Sequence, residues 1–175
     1  MGIRNTAKAM IIRDGSILLN RCFDPDHGEY YTLPGGGQHQ YETIGQALIR
    51  ECLEETGHKV RIVRFAAFCE EICMDEEVRR IYPDYSHKCH HIFICEIEHE
   101  NQAVPTELDD MQLDSEWSSL ERLDQLKILP ELLSNNIKEL LKQDGAIFLG
   151  SEYIAKNHGR RRSVPAYYHY PQQQP

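Results

Sequence analysis

The chain has 175 residues, 41% hydrophobic and 27% charged, with a formal charge of −9, values that fit one soluble globular domain with a full core. Positions 1–155 hold 15 basic against 28 acidic residues, a balance of −13, which argues against general binding to duplex nucleic acid. There is no run of about 18 apolar residues and no charged-then-apolar leader, so no membrane span is expected and the expected location is cytoplasmic. Met1 to Thr6 fits the short myristoylation pattern, a weak motif that a chance Gly2 satisfies equally well.

In chain order, two apolar runs flank Arg13-Asp14-Gly15-Ser16, a strong hairpin signal. Asp24 to Tyr30 reads as a polar loop, and Tyr31 to Leu33 as a short strand stopped by Pro34 and Gly35-Gly36-Gly37. Thr43 to Thr56 reads as a helix with a Thr43/Gln46 capping box and Gly57 at the left-handed exit position. Val60 to Cys73 and His90 to Ile97 are β-rich, joined by a polar connection, Met74 to Lys88. Residues 98–115 are acidic and irregular, and Trp117 to Leu120 returns to the core. Leu120–Leu126 and Pro130–Lys142 are expected helices, and Ala146–Leu149 a last strand. From residue 151 the chain reads as a tail, its end rich in Arg, Tyr, Pro and Gln.

The six cysteines read as reduced, mostly buried thiols. Cys69, Cys73, Cys89, His90 and His91 assemble a zinc site on paper, but their spacing is no established zinc pattern and they alternate along strands. The favoured reading is core cysteines beside strand-edge histidines.

Chemistry concentrates between Leu33 and Gly57. At 100° per residue, Glu51, Glu54 and Glu55 share one helix face about 100° wide, with Ile49, Cys52, Leu53 and Thr56 on the packing side. Like-charged neighbours at these spacings repel by a few tenths of a kcal/mol per pair. The arrangement becomes favourable when a hard divalent cation takes oxygens from all three. Glu42 lies close enough to join the cluster, and Arg50 can orient a carboxylate through its fixed fork. The triple glycine lets backbone approach a ligand closely. For Glu-rich helices in general a solvated charged face is the commoner explanation; the neighbouring glycines favour a site.

These residues resemble the Nudix box: Gly36, Glu42, Arg50, Glu51, Glu54, Glu55 and Gly57 fill all seven fixed positions. A chance match is roughly 10⁻⁸ per starting position. Cys52 and His58 stand at positions where the family carries aliphatic residues. The resemblance implies an α/β/α sandwich with a mixed, mostly antiparallel-paired sheet over about residues 3–150. It implies metal ligation by Glu51, Glu54 and Glu55 with a carbonyl at Gly35 or Gly36, and catalytic roles for Glu54, Glu51 and Arg50. It implies Mg²⁺ or Mn²⁺ as cofactor and a small nucleoside diphosphate derivative as substrate, hydrolysed by water attack on phosphorus. The general base is a box glutamate or an acid of a later loop, Glu107, Asp109, Asp110 or Glu116. Tyr82, Tyr85 and Trp117 are the candidates for substrate contact. No proline lies between His58 and Tyr82, which disfavours ADP-ribose, since ADP-ribose hydrolases of the family typically carry one there. A homodimer is an assembly open to this fold. The rival functions are a catalytically silent ligand sensor of the same fold, which would have lost box carboxylates, and a zinc-stabilised interaction domain.

Overall fold

A computed structural model describes residues 2–25, 28–99 and 101–154. The hairpin expected at Asp14-Gly15 joins β1 (Arg4–Arg13) to β2 (Ser16–Asp24). β3 (Gly28–Thr32) follows, then α1 (Ile44–Thr56), β4 (Val60–Cys73), α2 (Glu76–Ile81), β5 (His87–Ile97), β6 (Gln112–Ser119), a 3₁₀ turn over Leu120–Gln125, α3 (Glu131–Ser134), α4 (Ile137–Leu140) and β7 (Ile147–Ile154).

The strands form one seven-stranded sheet in the order β3-β2-β1-β5-β4-β7, with β6 paired to β2. β1–β2, β2–β3, β2–β6 and β4–β5 are antiparallel; β1–β5 and β4–β7 are parallel. This is the expected mixed sheet with helices on both faces. On one face Ala47, Leu48 and Cys52 of α1 pack on Ala7, Ala9, Ile11, Phe93 and Cys95. On the other, Leu123, Leu133, Ile137 and Leu140 cover Met10, Leu19, Ala67, Cys69 and Ile92.

Several expectations need correction. β2 and β3 extend into the segment read as a loop at 24–30; cross-strand pairing from Asn20↔Thr32 to Asp24↔Gly28 outweighs its polarity. The 74–88 connection contains α2, capped by the Asp75 side chain on the amides of Glu77 and Val78. The helix expected over 130–142 is two short ones separated by Asn135 and Asn136, poor helix formers at the break. Leu53 is 41% exposed rather than packed on the sheet. β7 spans Ile147–Ile154, longer than the strand expected over Ala146–Leu149. Its Ser151 and Glu152 are tied to Glu70 and to the Leu132 amide. The rest of the tail, from Ala155, lies outside the described residues.

Candidate active site

The box helix starts as its sequence dictates. Thr43 Oγ1 accepts from the Gln46 amide at 3.2 Å and the Gln46 side chain accepts from the Thr43 amide at 2.8 Å. It ends at Gly57 (φ 70°), whose amide donates to the Leu53 carbonyl at 2.9 Å. Gly57 is also where the 98–111 loop touches down: an added Cβ would lie 1.9 Å from the Ala103 carbonyl oxygen.

Arg50 organises the acidic face. Its Nε and Nη2 donate to the two Glu42 oxygens at 2.9 and 3.0 Å. Its Nη1 donates to Glu51 Oε1 at 2.8 Å and Glu54 Oε2 at 3.0 Å, and Nη2 also reaches the Gly37 carbonyl at 2.9 Å. One guanidinium therefore binds three carboxylates and the glycine loop, a use of its planar fork that lysine cannot reproduce. These hydrogen bonds hold the Glu42 carboxyl down at about 2. Among the described residues, Glu51 Oε2 and Glu54 Oε1 have no hydrogen-bond partner.

Glu55 is turned inward and is 5% exposed. On a helix it lies about 20° from Leu48, seven residues earlier, and so shares the buried arc. Its Oε2 accepts from Asn20 Nδ2 at 2.8 Å and from the Gly35 amide at 2.7 Å. Burial pushes its carboxyl up, opposed by Lys8 and by these hydrogen bonds. Gly35, at φ 119°, is pressed against β1, where an added Cβ would lie 2.1 Å from the Ala7 carbonyl oxygen. At Gly36 an added Cβ would lie 2.4–2.7 Å from the Glu51 carboxyl atoms. The glycines therefore exist to bring backbone against carboxylate. The donor set here is all oxygen, the chemistry a hard divalent ion selects. The carbonyl oxygens expected to serve it already have partners: Gly36 accepts from the Ala7 amide at 2.9 Å, and Gly35 from the Lys8 ammonium. Each keeps a second lone pair.

The domain model for the NUDIX domain matches residues 3–143. The chain belongs to the Nudix family. A Nudix hydrolase from Nitrosomonas europaea is 20% identical, with a TM-score of 0.63 over 81% of this chain and 89% of that one. A mMutator MutT protein from Bacillus halodurans is 17% identical, with a TM-score of 0.61 over 87% and 91%. A structure named as an ADP-ribose pyrophosphatase from Streptococcus suis is 18% identical, with a TM-score of 0.58 over 84% and 99%. No curated protein matches the sequence significantly. At these identities the neighbours show the Nudix fold, and the family assignment makes the chain a Nudix hydrolase.

The amides of Thr106 and Glu107 donate to the Glu54 carbonyl at 3.0 and 3.3 Å, so the loop bearing Glu107 docks on the end of the box helix. Gln112 and Ser115 also reach the Glu55 carbonyl, at 3.2 and 3.4 Å. Asp109 and Asp110 are exposed beyond that docking point, and Glu116 engages the Tyr31 hydroxyl. Tyr85 lies under the Arg4 guanidinium, 4.6 Å from its ring centroid. Arg4 in turn abuts Gly37, where an added Cβ would lie 2.3 Å from Nη2. Tyr82 closes α2 and begins the turn holding Tyr85. Trp117 is taken up by packing: Arg13 sits 4.4 Å from its ring centroid and His58 meets it edge-on at 6.4 Å.

His58 explains its own departure from the box pattern. It is 4% exposed, and burial, then Arg13, lowers its pKa. A neutral imidazole against Trp117 fills the aliphatic slot. Two residues escaped the sequence reading: Lys8 and Asn20, which hold Gly35 and Glu55 from β1 and β2. The available signal was a lone lysine in the apolar run from Ala7 to Ile12.

Proposed function

We propose that this Nudix hydrolase is a divalent-metal-dependent pyrophosphohydrolase that cleaves a nucleoside diphosphate linked to another moiety. The observation that carries the reading is Arg50 holding Glu51 and Glu54 beside Gly36 while, among the described residues, one oxygen of each carboxylate stays unpaired. Those free oxygens and Glu55 Oε1 are the ones that would hold Mg²⁺ or Mn²⁺. The bound ion supplies charge neutralisation for the pyrophosphate and a more acidic water.

The chain's own residues do the rest. Arg50 fixes the orientation of Glu51 and Glu54 by holding one oxygen of each. Glu55 and Lys8 clamp Gly35, setting the distance between the glycine loop and the helix. A carboxylate that the ion does not engage, a box glutamate or an acid of the later loop such as Glu107, accepts the proton as water attacks phosphorus. Arg4, stacked on Tyr85 and touching Gly37, lies where a substrate phosphate or base would meet it. Neighbours named for ADP-ribose and for UDP-X share the fold and fit the same substrate class.

The test is a screen of ADP-ribose, UDP-sugars, dinucleoside polyphosphates, NADH and oxidised nucleotides with Mg²⁺ and Mn²⁺ in ¹⁸O-labelled water. The reading expects metal-dependent turnover of at least one, with label in a phosphate product. Turnover that chelator does not abolish, or label recovered away from phosphorus, contradicts it.

A further inference from the structure

The zinc grouping considered from sequence is divided by the sheet. Cys69 pairs with His90 and Cys89 pairs with Glu70, and neighbouring positions on a strand point to opposite faces. A different trio converges instead. His87 and Cys89 are two apart on β5 and so share a face; Glu70 of β4 lies directly across from Cys89. One ligand atom from each of Glu70, His87 and Cys89 lies within 4.8 Å of the others.

We propose that Glu70, His87 and Cys89 form a second, soft-metal site of the zinc class, separate from the box carboxylates. His87 Nε2 is buried and, among the described residues, has no hydrogen-bond partner, which is costly for a polar atom unless a ligand meets it. It lies 3.5 Å from Glu70 Oε1. Two ligands about 2.0–2.1 Å from one ion at the tetrahedral angle stand roughly 3.4 Å apart. Cys89, 8% exposed, brings sulfur from the sheet interior. Glu70 is itself oriented: the Ser151 hydroxyl of β7 donates to its other oxygen at 2.6 Å, the outer support that metal-ligating carboxylates use. A thiolate, an imidazole and a carboxylate suit zinc over Mg²⁺, and thiolate plus carboxylate balance its charge. The side chains of Glu70 and His87 are 28% and 32% exposed, so an ion can reach the trio from solvent. An ion here ties β4 to β5 and, through Ser151, to β7. It also anchors the exit of the connection carrying Tyr82 and Tyr85, which ends one residue before His87.

Chelator-stripped full-length protein is titrated with Co²⁺ and then Zn²⁺, alongside Cys89→Ser, His87→Ala and Glu54→Gln. One equivalent of Co²⁺ should produce a thiolate-to-cobalt charge-transfer band that Zn²⁺ displaces, in wild type and equally in Glu54→Gln. Cys89→Ser should abolish the band, and His87→Ala should weaken Zn²⁺ binding at least tenfold. Excess Zn²⁺ should raise the wild-type Tm by about 5 °C or more and leave Cys89→Ser unmoved. No thiolate band in folded wild type, or an undiminished band in folded Cys89→Ser, would overturn the site.

Discussion

Arg50 and Glu42 are joined by two hydrogen bonds, Nε to Oε1 at 2.9 Å and Nη2 to Oε2 at 3.0 Å. This pairing leaves Nη1 for Glu51 and Glu54, so one side chain sets the direction of both free carboxylate oxygens. Lysine keeps the charge and loses the fork. Arg50→Lys should therefore lower kcat about 100-fold, or about 2.7 kcal/mol of transition-state stabilisation, with a folded protein by circular dichroism. A kcat within threefold of wild type would remove Arg50 from the positioning role.

Glu55 acts on structure through Asn20 and the Gly35 amide. Glu55→Ala leaves both donors buried without their acceptor and should cost about 2–4 kcal/mol in urea unfolding. Glu55→Gln keeps an acceptor oxygen and should cost less than about 1 kcal/mol, yet lower kcat at least about 100-fold. Equal destabilisation by the two variants would show that the hydrogen bonds are not what Glu55 contributes.

The pH dependence of stability follows from the buried histidines His58 and His90 and from Glu42. Burial keeps the His58 imidazole neutral in the fold, below its ordinary value of 6.5. The unfolded chain then binds the extra proton, so this contribution is present above pH 6.5 and is lost as pH falls below it. Glu42, at about 2 against an ordinary 4.5, stabilises the fold above pH 4.5, and that contribution is lost as pH falls toward 2. Unfolding free energy should decline through both windows, and His58→Leu should lessen the first decline, the remainder coming from His90, which burial lowers to about 3. A Leu variant that declines as steeply as wild type between pH 6.5 and 5 would assign that proton uptake elsewhere.

The end of the domain can be located by truncation. Ser151 to Ile154 pair with Glu70 to Cys73, Glu152 caps Leu132, and the Met74 amide donates to the Ile154 carbonyl at 2.8 Å. A chain ending at Ala155 should keep its Tm, kcat and KM. One ending at Gly150 should lose at least about 5 °C in Tm. A tenfold rise in KM at unchanged Tm for the longer truncate would instead place the tail's arginines on the substrate.

The box helix was legible because its information is local. Thr43, Gln46 and Gly57 set its ends, and the helical period alone puts Glu51, Glu54 and Glu55 together. The hairpin at Asp14-Gly15 was legible for the same reason. What stayed hidden depends on register and on backbone contacts between distant segments. Glu70 faces Cys89 only once β4 and β5 are paired residue by residue, including two register shifts, and sequence spacing does not bring them together. The 98–111 loop grips α1 through main-chain amides at Ala103, Thr106 and Glu107, which no side-chain pattern announces. Lys8 and Asn20 reach the glycine loop and Glu55 from strands at the other end of the chain's first quarter, contacts that periodicity does not encode.

The most direct test of the metal-dependent mechanism is the Mg²⁺-dependent turnover of Glu54→Gln beside wild type, on whichever nucleoside diphosphate derivative the wild type hydrolyses. The substitution keeps shape and an acceptor oxygen for Arg50 while removing one negative charge from the cluster. The account predicts a kcat at least about 100-fold lower with an unchanged Tm, because the lost charge serves the metal and the reaction rather than the fold. Near-wild-type turnover in a folded Glu54→Gln protein would contradict it.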